Sequence, residues 1–235
     1  MKLNDYFDKI YLLNLFKREE RRKGSESRLK SNSIDYNVFN GVDGSVMKFL
    51  WKKLDNSNFS NENYIGCFIS HLSIYKDAIE RGYNRILILE DDILVHRYIN
   101  EIFDAIKVPD WSDLFYLGYI PLNDDCSMWD YKYGINNSNI IVNNVFSPTN
   151  LWGLFAYGIS RSLMVEMVDL YNNEFPMEID RYYVNVIQKR GNSISLSPQL
   201  FCCSDEAKSD NLGYTPPDMK LRSVDTRFSK LEDYI

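Results

Sequence analysis

Three consecutive carboxylates, Glu90-Asp91-Asp92, stand between Ile86-Leu87-Ile88-Leu89 and Ile93-Leu94-Val95. Three crowded anions repel one another, and the usual compensation is a hard divalent cation such as Mn²⁺ or Mg²⁺, which prefers carboxylate and water oxygens. A cation held in this way attracts a phosphate. The four apolar residues before the acids are too few for a helix and lack alternation, as expected of a strand buried on both faces of a parallel sheet. Such a strand cannot bury three charges, so the acids belong at its carboxyl end, where open α/β sheets bind ligands. The alternative is a solvated loop or the first turn of a helix, where acids complement the macrodipole.

Other residues could serve the same chemistry. Lys9 to Leu15 reads as a first buried strand, and the charged run from Phe16 to Lys23 as a helix. Arg18, with Arg21 or Arg22, could reach an anion at that junction, because a guanidinium fork matches phosphate oxygens; a solvated helix face explains the same residues. Asp43 lies between Gly41 and Gly44 at the end of a second strand, and either accepts hydrogen bonds from a ligand or closes an Asx turn. Apolar residues at helical spacing predict a helix over 65–81, stopped by Gly82. Ser70 and His71 lie off the centre of its apolar stripe, facing either the ligand end of the sheet or a structural hydrogen-bond partner. Glu178 and Asp180 precede a helix expected to run to about Arg190, which Asp180 either caps or supplies with a reactive carboxylate. Trp129, Tyr131 and Tyr133, in a polar excursion over 121–150, either stack on a sugar or cluster locally.

The elements that must position these groups alternate between strand and helix. Further strands are expected at 114–118 and 152–160, helices at 96–107 and 161–171, and a polar loop over 51–63. Pro198 places the last strand, 194–201, at a sheet edge. The 235 residues suit one sizeable core, taken as a single domain over 1–215 with a tail over 216–235 of little core character. There is no run of about 18 apolar residues, and the polar start Met1-Lys2-Leu3-Asn4 lacks the apolar stretch of a signal peptide. The expectation is a soluble, cytoplasmic protein without a transmembrane segment. A net charge of −6 argues against nucleic-acid binding, which needs clustered cations. Cys67, Cys126, Cys202 and Cys203 show no zinc-site spacing and read as reduced thiols. A phosphoryl-transfer enzyme would use the same acids, but no Gly-x-x-x-x-Gly-Lys-[Ser/Thr] loop occurs.

Taken in order, these segments resemble glycosyltransferase family 25, the group of the bacterial lipooligosaccharide galactosyltransferases and procollagen galactosyltransferases. The resemblance covers most of residues 9–213. It rests on Ile10-Tyr11-Leu12-Leu13-Asn14-Leu15 with Arg18 and Arg21, Phe39 to Gly44, Gly66-Cys67 with Ser70-His71, and Ile88-Leu89-Glu90-Asp91-Asp92. It continues through Tyr116-Leu117-Gly118, Ala156-Tyr157 with Ile159-Ser160-Arg161, Asp180 and Ser209-Asp210. One departure is Asn63-Tyr64, where the family usually has Gly-Glu.

The resemblance implies a GT-A type, Rossmann-like α/β fold with a mixed, mostly parallel sheet flanked by helices. It also implies a Mn²⁺- or Mg²⁺-dependent transfer of a hexose from a UDP-sugar to a hydroxyl of a glycan, glycoprotein or glycolipid, with inversion. UDP-galactose is the expected donor, with glucose or N-acetylglucosamine as alternatives. In that scheme Asp92 is the main metal ligand and Glu90 a second ligand or ribose contact, while Asp91 turns inward or holds the loop. Asn14, Arg18 and Asp43 hold the nucleotide, and Ser70 and His71 line the donor pocket. Asp180 is the base, with Glu178 in reserve. The alternative is a catalytically inactive nucleotide-sugar or glycan-binding relic of the same fold.

Overall fold

The computed structural model describes residues 1–53, 61–109, 112–121, 139–142, 145–148, 150–173, 177–204, 220, 223–224 and 230–235. Its strands are β1 (Lys9–Asn14), β2 (Asn37–Asn40), β3 (Arg85–Glu90), β4 (Ile93–Val95), β5 (Leu114–Pro121), β6 (Asn139–Val142), β7 (Val145–Ser147), β8 (Leu151–Ser160), β9 (Ser193–Leu196) and β10 (Phe201–Cys203). The helices are α1 (Leu3–Tyr6), α2 (Glu19–Ser31), α3 (Lys48–Lys53), α4 (Glu62–Glu80), α5 (Ile99–Ala105), α6 (Arg161–Asn173) and α7 (Ile179–Tyr182).

Eight strands form one sheet in the order β2-β1-β3-β8-β5-β9-β7-β6, and β4 pairs with β10 in a small second sheet. In the large sheet β2, β1 and β3 are mutually parallel, as are β5 and β9, while β8 and β7 run against their neighbours. Only those two strands are reversed, so the sheet is mixed and mostly parallel.

The alternation of side chains along a strand explains why the central strands read as continuous apolar runs. Tyr11, Leu13, Ile86 and Ile88 pack on one face with residues of α4 and α6. Ile10, Leu12, Leu87 and Leu89 pack on the other, with Leu3, Leu29 and Phe103 from α1, α2 and α5. Ile86 to Leu89 have no exposed surface. Helix α4 starts where Asn61 accepts from the Asn63 amide at 2.9 Å, and it stops before Gly82, whose φ of 79° suits a residue without a side chain.

Several boundaries differ from the sequence expectations. The helix expected over 96–107 is shorter because His96 is drawn into a bridge with Tyr234. The strand expected over 194–201 is two strands separated around Pro198. The first of them, β9, lies inside the sheet between β5 and β7 rather than at an edge, because the proline falls after its last residue. The tail is also more than a polar extension: Val224 and Tyr234 are buried, and the Ile235 and Val95 backbones exchange hydrogen bonds in both directions. Most of the excursion over 121–150, including Trp129, Tyr131 and Tyr133, lies outside the described residues, as do Ser209, Asp210 and residues 54–60 of the expected loop.

Candidate active site

Alternation along β3 also distributes the three acids. Glu90 continues the parity of Ile86 and Ile88 and so faces α4. Asp91 continues that of Leu87 and Leu89 and faces α2. Asp91 is accordingly buried: it pairs with the Arg21 guanidinium and accepts from Asn14 Nδ2 at 2.5 Å, while its backbone oxygen accepts from Ser25 Oγ at 2.8 Å. Burial pushes its carboxyl up to about 7, with the charges of Asp92 and Glu90 adding, against the pull of Arg21 and Asn14. Arg21 reaches Asp92 as well, at 2.9 Å, and Asp92 keeps more of its side chain exposed than Asp91 does.

A cavity of about 100 Å³ opens at the carboxyl ends of β1 and β3. Glu90, Asp91, Asp92 and Arg21 line one side of it, and Val42, Gly44, Asn63, Cys67 and Ser70 line the other. The second wall is held together by very close backbone approach. A Cβ on Gly66 would lie 2.5 Å from Gly44 N and 2.7 Å from Val42 O. Ser70 Oγ fastens the same turn, accepting from Val42 N at 2.8 Å while donating to Gly66 O at 2.7 Å.

The other expected site residues divide between cleft and scaffold. Asn14 is buried and its amide is engaged by Asp91 and by Arg18 O, so it clamps the acid turn. Arg21 rather than Arg18 lines the cleft; Arg18 stands at the N-cap of α2. Asp43 closes an Asx turn onto Ser45 N at 3.0 Å and pairs with Lys17 at 2.6 Å, which holds its carboxyl down to about 2. His71 is fully buried, with Nδ1 2.7 Å from the Tyr157 hydroxyl and Nε2 3.5 Å from Glu90 Oε1.

Asp180 sits inside the first turn of α7, where it accepts from the Arg181 amide at 3.1 Å; the cap position belongs to Glu178. Burial, then the charge of Glu178, raise the Asp180 carboxyl to about 6, and Glu90 also contributes. Glu178 is buried and pairs with Arg181 at 3.3 Å. The departing residues Asn63 and Tyr64 fall on this ground too. Asn63 lines the cavity, and burial with the charges of Glu178 and Asp180 raises the Tyr64 phenol to about 12.

Residues 7–183 match the sequence profile of glycosyltransferase family 25 (LPS biosynthesis protein). The chain belongs to glycosyltransferase family 25. Relatives include the mouse "Inactive glycosyltransferase 25 family member 3", 28% identical over an alignment of 136 residues that covers 51% of this chain and 23% of that protein. Mouse "Procollagen galactosyltransferase 2" is 29% identical over 131 residues, 48% of this chain and 21% of its own length. The Aedes aegypti "Glycosyltransferase 25 family member" is 30% identical over 137 residues, 51% and 22% respectively. The match thus spans under a quarter of each of these relatives. Among solved structures, a glycosyltransferase involved in glycosylation of the major capsid of PBCV-1 superposes with a TM-score of 0.44 at 14% identity, covering 80% of this chain and 81% of that one. Among the described residues no helix is long and apolar enough to cross a membrane.

Two features of the site are missed by reading the acids alone. Arg21 is a positive charge set against both Asp91 and Asp92. Cys67 shares a face of α4 with His71, a relation visible in the sequence as a spacing of four.

Proposed function

We propose that this glycosyltransferase transfers a hexose, galactose in the first instance, from a UDP-sugar to a hydroxyl of a glycan, glycoprotein or glycolipid acceptor, with inversion. The observation that carries the reading is the cleft at the carboxyl ends of β1 and β3, where Glu90 and Asp92 stand beside Arg21. Open α/β sheets bind nucleotides at such a place.

The residues fit a divalent cation. Glu90 and Asp92 both line the cavity and offer only oxygen donors, the set a hard ion such as Mn²⁺ or Mg²⁺ takes. Asp92 would be the main ligand and Glu90 the second, while Asp91 is committed to Asn14 and Arg21. When bound, the ion supplies a Lewis acid for the charge that develops on the departing diphosphate. Arg21, already at Asp92, adds a guanidinium fork to the same phosphate oxygens. Ser70 and the Val42–Gly44 turn hold the opposite wall in place. Asp180, raised towards neutrality, takes the proton of the attacking acceptor hydroxyl.

The test is UDP release from UDP-galactose, UDP-glucose and UDP-N-acetylglucosamine, with and without EDTA, beside UDP binding by Asp92→Ala. Transfer that stops in EDTA, and loss of Mn²⁺-dependent UDP binding in the variant, are expected. Metal-independent binding and turnover would overturn the assignment. A second reading, a binding relic, draws on the departure at Asn63-Tyr64 and on relatives named inactive. UDP binding without turnover on any acceptor would favour it.

A further inference from the structure

We propose that Cys67, His71 and Glu90 form a binding site for a borderline transition-metal dication such as Zn²⁺, adjoining the cation assigned to Asp92 and sharing Glu90 with it. Among the described residues these are the His, Cys, Asp or Glu side chains whose ligand atoms converge as a set of three, all within 4.8 Å of one another. Glu90, Asp91 and Asp92 do not converge in this way, because alternation along β3 sends the first two to opposite faces of the sheet.

The geometry is that of a site needing small closure. Cys67 and His71 lie one turn apart on α4, and Glu90 meets them from the end of β3. Ligands at zinc distances of about 2.0–2.3 Å in a tetrahedron stand roughly 3.3–3.8 Å from each other. The 3.5 Å between His71 Nε2 and Glu90 Oε1 already has this value. His71 Nε2 is fully buried and aimed at the cluster; it faces Glu90 Oε1 but makes no hydrogen bond. Most buried side-chain nitrogens are hydrogen-bonded, so an unbonded one aimed at two further ligand atoms points to a bound group.

The other ring nitrogen is held as a metal ligand's usually is. Nδ1 is 2.7 Å from the Tyr157 hydroxyl, which is 2.5 Å from that of Tyr75, which in turn is 2.7 Å from that of Tyr183. In the tautomer that donates from Nδ1 into this chain, the Nε2 lone pair points at Cys67 and Glu90. A nitrogen, a thiolate and one carboxylate favour Zn²⁺ over Mn²⁺ or Mg²⁺. Three protein ligands leave a fourth position. Cys67 and Glu90 line the cleft, so that position opens towards it, the arrangement of a zinc that takes an exogenous ligand. The inference stands on these side chains alone and does not rest on the transferase reading.

Co²⁺, which substitutes for Zn²⁺ and reports its ligands optically, is the probe. Reduced, EDTA-treated full chain is titrated with Co²⁺ alone, and the thiolate-to-cobalt charge-transfer band is recorded, then chased with Zn²⁺. One equivalent with a thiolate band that Zn²⁺ abolishes is expected. Cys67→Ser should lose the band, which excludes the other cysteines as its source. His71→Gln and Glu90→Gln should bind at least about tenfold more weakly. Asp92→Asn should keep the band while losing Mn²⁺-dependent UDP binding, which separates failure of this site from failure of the donor site. Because His71 is buried and its variant can misfold, the near-isosteric Cys67→Ser decides. Co²⁺ uptake without a thiolate band, a band unchanged in Cys67→Ser, or no Co²⁺ uptake each overturns the proposal.

Discussion

Gly66→Ala tests how the cleft wall is built. In an exposed helix interior, alanine is more favourable than glycine by about 1 kcal/mol. At Gly66 the added Cβ would lie 2.5 Å from Gly44 N, 2.6 Å from Gly44 Cα and 2.7 Å from Val42 O. All three are backbone atoms, so no side chain can swing aside and the turn at 42–44 must move off α4 as a unit. The hydrogen bond from Val42 N to Ser70 Oγ would stretch with it. Overpacking of this kind costs roughly 1–3 kcal/mol and sometimes more, and the lost hydrogen bond adds about 1 kcal/mol. Set against the helix gain, the net loss is about 1–3 kcal/mol, which for a chain of this size lowers Tm by roughly 2–12 °C. Urea denaturation should show a lower midpoint with an unchanged slope. A variant as stable as the parent or more so, as helix propensity alone would give, refutes the reasoning that the two glycines are in enforced contact.

Two further outcomes follow from buried side chains. Burial pushes the Asp180 carboxyl of the folded chain up to about 6 from an ordinary 3.8. The fold therefore favours its protonated form: the stability it contributes is complete below about pH 4 and lost as pH rises through about 6. A base needs the opposite form, so transfer should rise through pH 6 as stability falls. Asp180→Asn should abolish transfer, keep UDP binding, and be more stable than the parent above pH 6 but not at pH 4; equal stability at both would sink the assignment of a desolvated carboxylate. Tyr234→Ala should cost about 3–5 kcal/mol by thermal unfolding, as for other buried aromatic truncations, because Tyr234 is buried, its ring lies edge-on to His96 at 5.0 Å, and its hydroxyl donates to Gln199 O. Tyr234→Phe, which loses only the hydrogen bond, should cost about 1 kcal/mol.

The buried strands were legible because burial on both faces leaves unbroken aliphatic runs, as in Ile86 to Leu89, and a strand cannot continue into three charges. Helix α4 was legible from its spacing and from Gly82. Less visible was anything decided by a distant partner. Nothing near Pro198 says that the strand before it would be covered on both sides, by β5 and β7. The polar tail gives no local sign that Tyr234 finds a socket beside His96, more than a hundred positions away in sequence. The same holds in the site. Asp43 and Asn14 have residue types suited to ligand binding, yet neighbours within a few residues or across one strand engage the Asp43 carboxylate and the Asn14 amide nitrogen. Arg18 and Arg21 are equivalent in composition, and only the rotation of α2 against β1 puts Arg21 into the cleft.

That rotation bears on how the acid turn works. Had Asp91 no counter-charge, its burial beside two other carboxylates would leave an anion unpaired in the core, a condition that typically costs several kcal/mol. Arg21 offsets part of that cost, and because its fork also touches Asp92 it fixes the turn in the cleft with one carboxylate inward and the others presented. The three acids are therefore not three equivalent carboxylates. Asp91 anchors the turn to α2 through Arg21 and Ser25, Glu90 is directed at His71 and Cys67 on α4, and Asp92 remains at the cleft mouth beside the guanidinium. A single strand end thus addresses both helical layers and the cleft between them, since successive residues of a strand must point to opposite faces.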